Sequence, residues 1–127
     1  MDGLRLAGTF ESVPQPRRGA VLIHGGGVTR EEGGFYRLLS AGLAAAGTAV
    51  LRFDLRGHGD SEGLQEDLTL AAVANDIRSA AGFVMGKAGT RTVYLIGARF
   101  SGGATAMAAA AWPQMVRGLV LFNPLFD

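Results

Sequence analysis

The stretch VYLIGARFSGGATAM, Val93 to Met107, changes character halfway along. Its first residues are apolar, β-branched or aromatic; its last are alanine-rich and helix-compatible; glycines and one arginine lie between. This predicts a buried strand over Thr92–Ile96, a sharp turn, and a helix over Phe100–Trp112 that Pro113 stops. The same alternation continues outward. Toward the carboxyl end, GLVLF (Gly118–Phe122) reads as another strand. Toward the amino end, Leu70, Val73, Ile77, Ala80 and Val84 share one helical face, with Asp67 or Thr69 as N-cap candidates. TAVLRF (Thr48–Phe53) is a strand. Phe35, Leu38, Leu39, Gly42, Leu43 and Ala46 recur at helical spacing, and Gly47 sits where a C′ glycine ends a helix. Ala20–Ile23 is a further buried strand, and Leu4–Val13 offers one or two edge strands. Strand and helix in alternation predict an α/β fold, a mostly parallel twisted sheet with helices on both faces. Continuous apolar strands agree, because parallel strands are buried on both sides.

Composition narrows the classes of function. The 127 residues fit a single domain at roughly 100–200 residues per domain. Apolar residues make up 48% and charged residues 18%, which favours a packed core over disorder. Twelve Lys and Arg oppose eleven Asp and Glu, and a net charge of +1 gives no reason to expect nucleic acid or an anionic membrane as partner. With no cysteine there are no disulfides, thiolate metal sites or cysteine nucleophile. No apolar stretch preceded by positive charge marks a signal peptide, and none reaches the roughly 18 residues of a spanning helix. A cytoplasmic location is the expectation.

Glycines cluster at 25–27, 57–63 and 97–103, each directly after a predicted strand. In open α/β sheets, ligands sit beyond the carboxyl ends of the strands, so all three clusters fall at that edge. HGGG (His24–Gly27) suits backbone N–H groups that point into a cleft to hold a developing oxyanion, or simply a tight turn. RFDLRGHGDSEG (Arg52–Gly63) is neither G-x-G-x-x-G nor a phosphate loop with its lysine. Asp54, His58, Asp60, Ser61 and Glu62 within it read as a hydrogen-bonded loop rather than a metal or acid/base cluster, and no cofactor or metal is expected.

GARFSGG (Gly97–Gly103) has the spacing of a nucleophile elbow, which needs small residues two before, two after and three after its centre. Centred on position 99, those sites are Gly97, Ser101 and Gly102. Centred on Ser101, they are Arg99, Gly103 and Ala104, and arginine does not fit the crowded site. The elbow is therefore read at Arg99. A guanidinium offers only donors and stays protonated, so it cannot attack a carbonyl. Arg99 could bind a carboxylate or phosphate. Ser101 remains a weaker candidate as a displaced nucleophile.

With these clusters in this order, the chain resembles the α/β-hydrolase superfamily, most closely its feruloyl-esterase and serine-aminopeptidase-like branch. LIHGGG, VLRFDLRGHGDSEG, VYLIGARFSGG and WPQMVRGLVLFNP carry the likeness from Gly19 onward. It implies the third to sixth strands of an eight-stranded sheet, and ester, thioester or amide hydrolysis by a Ser-His-Asp/Glu triad. It implies a small acyl or ester ligand, and oxyanion donors from backbone N–H groups around Gly26, Gly27 and Phe100. It also implies an acid and a histidine from later segments, so His24 and His58 are expected to be structural; Asp127 is a poor candidate for the acid. A sheet ending at Gly118–Phe122 would leave an apolar edge strand. Three explanations stand beside each other: one part of a longer protein, which is preferred; one subunit of a split fold completed by another chain; or a remnant that self-associates through its last strand. The competing functions are a hydrolase with altered catalytic residues, and a non-catalytic hydrolase-like binding or assembly subunit.

Overall fold

In the computed structural model, which describes residues 3–124, five strands form one sheet. In chain order they are β1 (Gly8–Glu11), β2 (Arg18–Ile23), β3 (Thr48–Phe53), β4 (Val93–Ala98) and β5 (Val116–Phe122). The helices are α1 (Phe35–Ala45), α2 (Leu70–Ala88) and α3 (Ser101–Ala111). Spatially the strands run β1-β3-β2-β4-β5; β1 is antiparallel to β3 and all other pairs are parallel. This is the expected α/β sheet, with Leu4–Val13 supplying one edge strand.

The strands follow from side-chain size and the pleat. Val21, Ile23, Leu51, Phe53, Val93 and Leu95 face α2 and α3, while Ala20, Leu22, Val50, Ile96 and Ala98 face α1. Strands β2 and β3 are apolar on both faces, which only a sheet covered on both sides permits. Helix α2 starts where Thr69 Oγ1 accepts from Ala72 N (3.1 Å), and it ends at Gly89, φ +69°. Of the two cap candidates, Thr69 is the cap.

Helix α1 departs from expectation in the face it buries. Phe35 and Leu38 are exposed, at 45% and 72%, whereas Tyr36 and Ser40 are fully buried. Tyrosine wins the core position because its hydroxyl has a partner there: it donates to the Ile23 carbonyl at 2.9 Å. Burial, with Glu32 nearby, pushes the Tyr36 hydroxyl far above its ordinary pKa. Asp127 lies outside the described residues. No helix among those described is long and apolar enough to cross a membrane.

The connection β2–α1–β3 steps one way along the sheet, and β3–α2–β4 crosses back to the other side of β2. The crevice between the carboxyl ends of β2 and β4 is therefore the topological switch point, the place where such sheets bind ligands. Gly25–Gly27 leave β2 there, and Arg99 and Phe100 leave β4 beside them.

Candidate functional site

The turn between β4 and α3 bends at Arg99. Its φ is +48°, one of three positive values among the described non-glycine residues. Phe100 is already helical, at φ −53° and ψ −40°. A side chain in the left-handed region is strained, and such strain persists only where the surroundings hold it. They do here. The Arg99 N–H donates to the Phe122 carbonyl (2.9 Å), and the Arg99 carbonyl accepts from Gly102 N (2.9 Å). Beneath the turn, a Cβ added at Gly97 would collide with Thr105 Oγ1 and fall 2.9 Å from its Cβ. Strand and helix touch at that point.

The Arg99 guanidinium lies across Gly25, where an added Cβ would stand 2.5 Å from Nη2 and 2.7 Å from Cζ. Its Nη1 pairs with Glu32 Oε2, and Glu32 Oε1 accepts from Gly25 N at 2.7 Å. One carboxylate thus ties the β2 loop to the elbow arginine. Glu32 sits at φ +49° before α1, with its side chain nearly buried. Neither periodicity nor motif singles it out in the sequence, because it lies in an irregular turn whose only mark is the run EEGG.

Ser101 stands apart from this geometry. It is the first residue of α3, wholly buried, and its Oγ donates to the His24 carbonyl at 2.6 Å. No imidazole nitrogen receives that hydroxyl proton.

Both histidines of the sequence act as braces. Leu55 N donates to His24 Nε2 (2.9 Å), so the ring's Nδ1 carries the proton, directed at the Gly25 carbonyl (2.6 Å). Gly27 N donates to His58 Nε2 (3.1 Å), and His58 Nδ1 faces the Arg56 carbonyl (3.1 Å). Gly27 therefore spends its N–H on His58. The N–H groups of Gly26 and Phe100 have no hydrogen-bond partner among the described residues. Gly26 faces Phe100, whose Cβ is 4.0 Å from where a Cβ on Gly26 would lie.

Burial lowers the pKa of His24 below its ordinary value, with His58 adding to the effect. The unfolded chain then takes up a proton near pH 6.5 that the folded chain refuses. Stability should be full above that pH and fall as pH drops below it. The measurement is the Hε1 resonance of His24, expected to hold its neutral position at pH 6 while urea midpoints decline from pH 7.5 to 5.5. A His24 that titrates at 6.5 or above would contradict this.

In the second glycine cluster, Asp54 accepts from Arg30 N (2.7 Å), Arg30 Nη1 (2.6 Å) and Asp60 N (2.9 Å), while Ser61 Oγ donates to its carbonyl (2.7 Å). Among the described residues, no three His, Asp or Glu side chains stand close enough together to hold a metal ion. A recess of about 1130 Å³ lies away from the elbow, between Leu4, Leu6 and Phe10 on one side and Asn75, Ser79 and Phe83 of α2 on the other.

Comparison with known proteins agrees with this architecture. The ferulic-acid-bound Est1E of Butyrivibrio proteoclasticus is 25% identical, with a TM-score of 0.87 over 97% of this chain and 50% of its own. The monoacylglycerol lipase of Paleococcus ferrophilus is 27% identical, with a TM-score of 0.81 over 97% and 44%. The α/β hydrolase GrgF from Penicillium sp. sh18, at 22% identity and a TM-score of 0.89 over 100% and 44%, shares the fold. The chain thus spans half or less of the length of these structures. No match was found among curated proteins. The family model described as "Serine aminopeptidase, S33" matches residues 14–127, and with nearly the whole chain inside that match, this α/β-hydrolase-fold chain belongs to the serine aminopeptidase S33 family.

Proposed function

We propose that this chain binds a small carboxylate or ester in the crevice between β2 and β4 without forming an acyl-enzyme. The observation that carries the reading is the ion-paired Arg99 at the bend of the elbow, where a nucleophile would stand. A carbonyl or carboxylate oxygen fits against the unpartnered N–H groups of Gly26 and Phe100, the arrangement that stabilises negative oxygen. The side chain of Arg99 is 40% exposed, which leaves donors for a ligand beyond the one given to Glu32. Ser101 is locked to the His24 carbonyl, and neither imidazole is free to act as its base. The hydrolase branch supplies the expectation of an acyl-type ligand, and the ferulic acid in Est1E is one such carboxylate.

Two measurements test the reading together. A fluorophosphonate probe should leave every serine unlabelled by mass spectrometry; an adduct on Ser101 would end it. Ferulate titrated into the chain should shift the Gly26 and Phe100 amide resonances. Arg99→Ala should then weaken ferulate by about tenfold or more, since hydrogen bonds to charged groups contribute about 1.5–3 kcal/mol. Unchanged affinity in that variant would remove Arg99 from the site.

A further inference from the structure

The amino-terminal edge of the sheet, at the far end of the strands from the elbow, holds a basic cluster. A recess of about 280 Å³ is lined by Arg17, Arg18, Arg117, Thr90, Thr92 and Tyr94. No acidic residue lines it, and none of the three arginines has a carboxylate within ion-pair distance among the described residues. Elsewhere in the molecule, Arg30, Arg52, Arg56 and Arg99 are all paired with acids.

Local structure positions the backbone of these residues and the guanidinium of Arg18. Arg17 N donates to the Gly47 carbonyl (2.9 Å), in the turn between α1 and β3. Arg18 Nη2 donates to the Ala46 carbonyl (3.1 Å) and Nε to Thr48 Oγ1 (3.1 Å), so its guanidinium is held by one side and keeps further donors. Arg117 is the extra residue of a β-bulge: Val93 pairs with Val116 and Tyr94 with Gly118, which leaves Arg117 without an opposite number. Bulges re-aim side chains, and this one is held in register by the Tyr94 ring on Gly118, where an added Cβ would stand 2.8 Å from ring carbons Cδ2 and Cε2. Thr90 Oγ1, in the loop after α2, is buried and has no hydrogen-bond partner. A buried hydroxyl is ordinarily partnered, and this one at the edge of the recess has none among the described residues.

We propose that this recess binds the phosphoryl group of a small molecule. Three guanidinium groups match a multiply charged anion better than the single charge of a carboxylate, and guanidinium forks suit phosphate oxygens. The hydroxyls of Thr90, Thr92 and Tyr94 offer donors for the remaining oxygens.

The test is titration of the ¹⁵N-labelled chain at low salt with inorganic phosphate, phenyl phosphate and acetate. The amides of Gly19, Thr90, Thr92 and Gly118 should shift saturably with either phosphate, and acetate should bind at least tenfold more weakly. Arg117→Ala, on an exposed side chain, should weaken phosphate at least tenfold, and Thr90→Val several-fold. Arg37→Ala, on the exposed side of α1, should change it less than twofold. Tighter phenyl phosphate assigns the recess to a phosphomonoester, and tighter inorganic phosphate to the free anion. Equal losses in Arg117→Ala and Arg37→Ala, or acetate binding as well as phosphate, would overturn the proposal and leave only a diffuse positive surface.

Discussion

Replacing Asp54 with alanine should lower the free energy of unfolding by about 3–5 kcal/mol, the cost of removing one partner from a buried ion pair. Asp54 is 1% exposed and gathers three donors: the Arg30 backbone, the Arg30 guanidinium and the Asp60 backbone. Its own N–H donates to the Ala7 carbonyl (2.8 Å), and Arg30 Nε also reaches Thr9 Oγ1 (3.0 Å). One carboxylate therefore fastens the loop before α1 to the loop after β3, and both to the segment around β1. Without it, a guanidinium only about a fifth exposed and two backbone N–H groups lose their acceptor. Urea unfolding followed by circular dichroism measures the loss. Asp54→Asn, which keeps shape and one acceptor oxygen, should lose less than alanine. A loss below about 1 kcal/mol in the alanine variant would show that water replaces the carboxylate without penalty.

Gly97→Val should destabilise by about 3 kcal/mol, the upper end of what overpacking costs. Its first added carbon already overlaps Thr105 Oγ1, and Thr105 Cγ2 lies 3.2 Å away. To admit valine, α3 must move off β4, and that carries Arg99 and Phe100 with it. Thr105 cannot swing aside freely, because its Oγ1 donates to the Ser101 carbonyl at 2.7 Å. The double variant Gly97→Val/Thr105→Ala should recover at least about 1 kcal/mol relative to the sum of the single changes, as contacting residues couple by 0.5–3 kcal/mol. Strict additivity would mean that the two residues do not meet, and would break the account of why the elbow is tight.

The parallel strands and the α2 face were legible because they rest on local apolar pattern: Val73, Ile77, Ala80 and Val84 are buried as their spacing predicts, while Leu70, the first residue of α2, is 38% exposed because the face meets the sheet only beyond the first turn. At the candidate site, only the turn was legible, because there spacing carries geometry. Small residues at 97, 101 and 102 located the bend at Arg99, and the positive φ of +48° lies there. What depended on one side chain meeting a distant backbone group was hidden. Tyr36 displaced Leu38 from the core through a hydrogen bond to β2, 13 residues back in the chain. Glu32 reaches Arg99 across 67 residues. Gly27 looked equivalent to Gly26 in HGGG, yet its N–H is committed to an imidazole 31 residues away. Such pairings come from the fold and leave no periodic trace.

The two imidazoles also bear on how this molecule would answer to chemical modification. Their ring centroids are 5.3 Å apart, His24 is sealed from solvent and His58 is 6% exposed. An acylating reagent such as diethyl pyrocarbonate meets neither imidazole freely until the loops they stitch together come apart. Its rate of reaction would time the breathing of the crevice, and any accompanying loss of ligand would report a loosened frame rather than a chemically spent base.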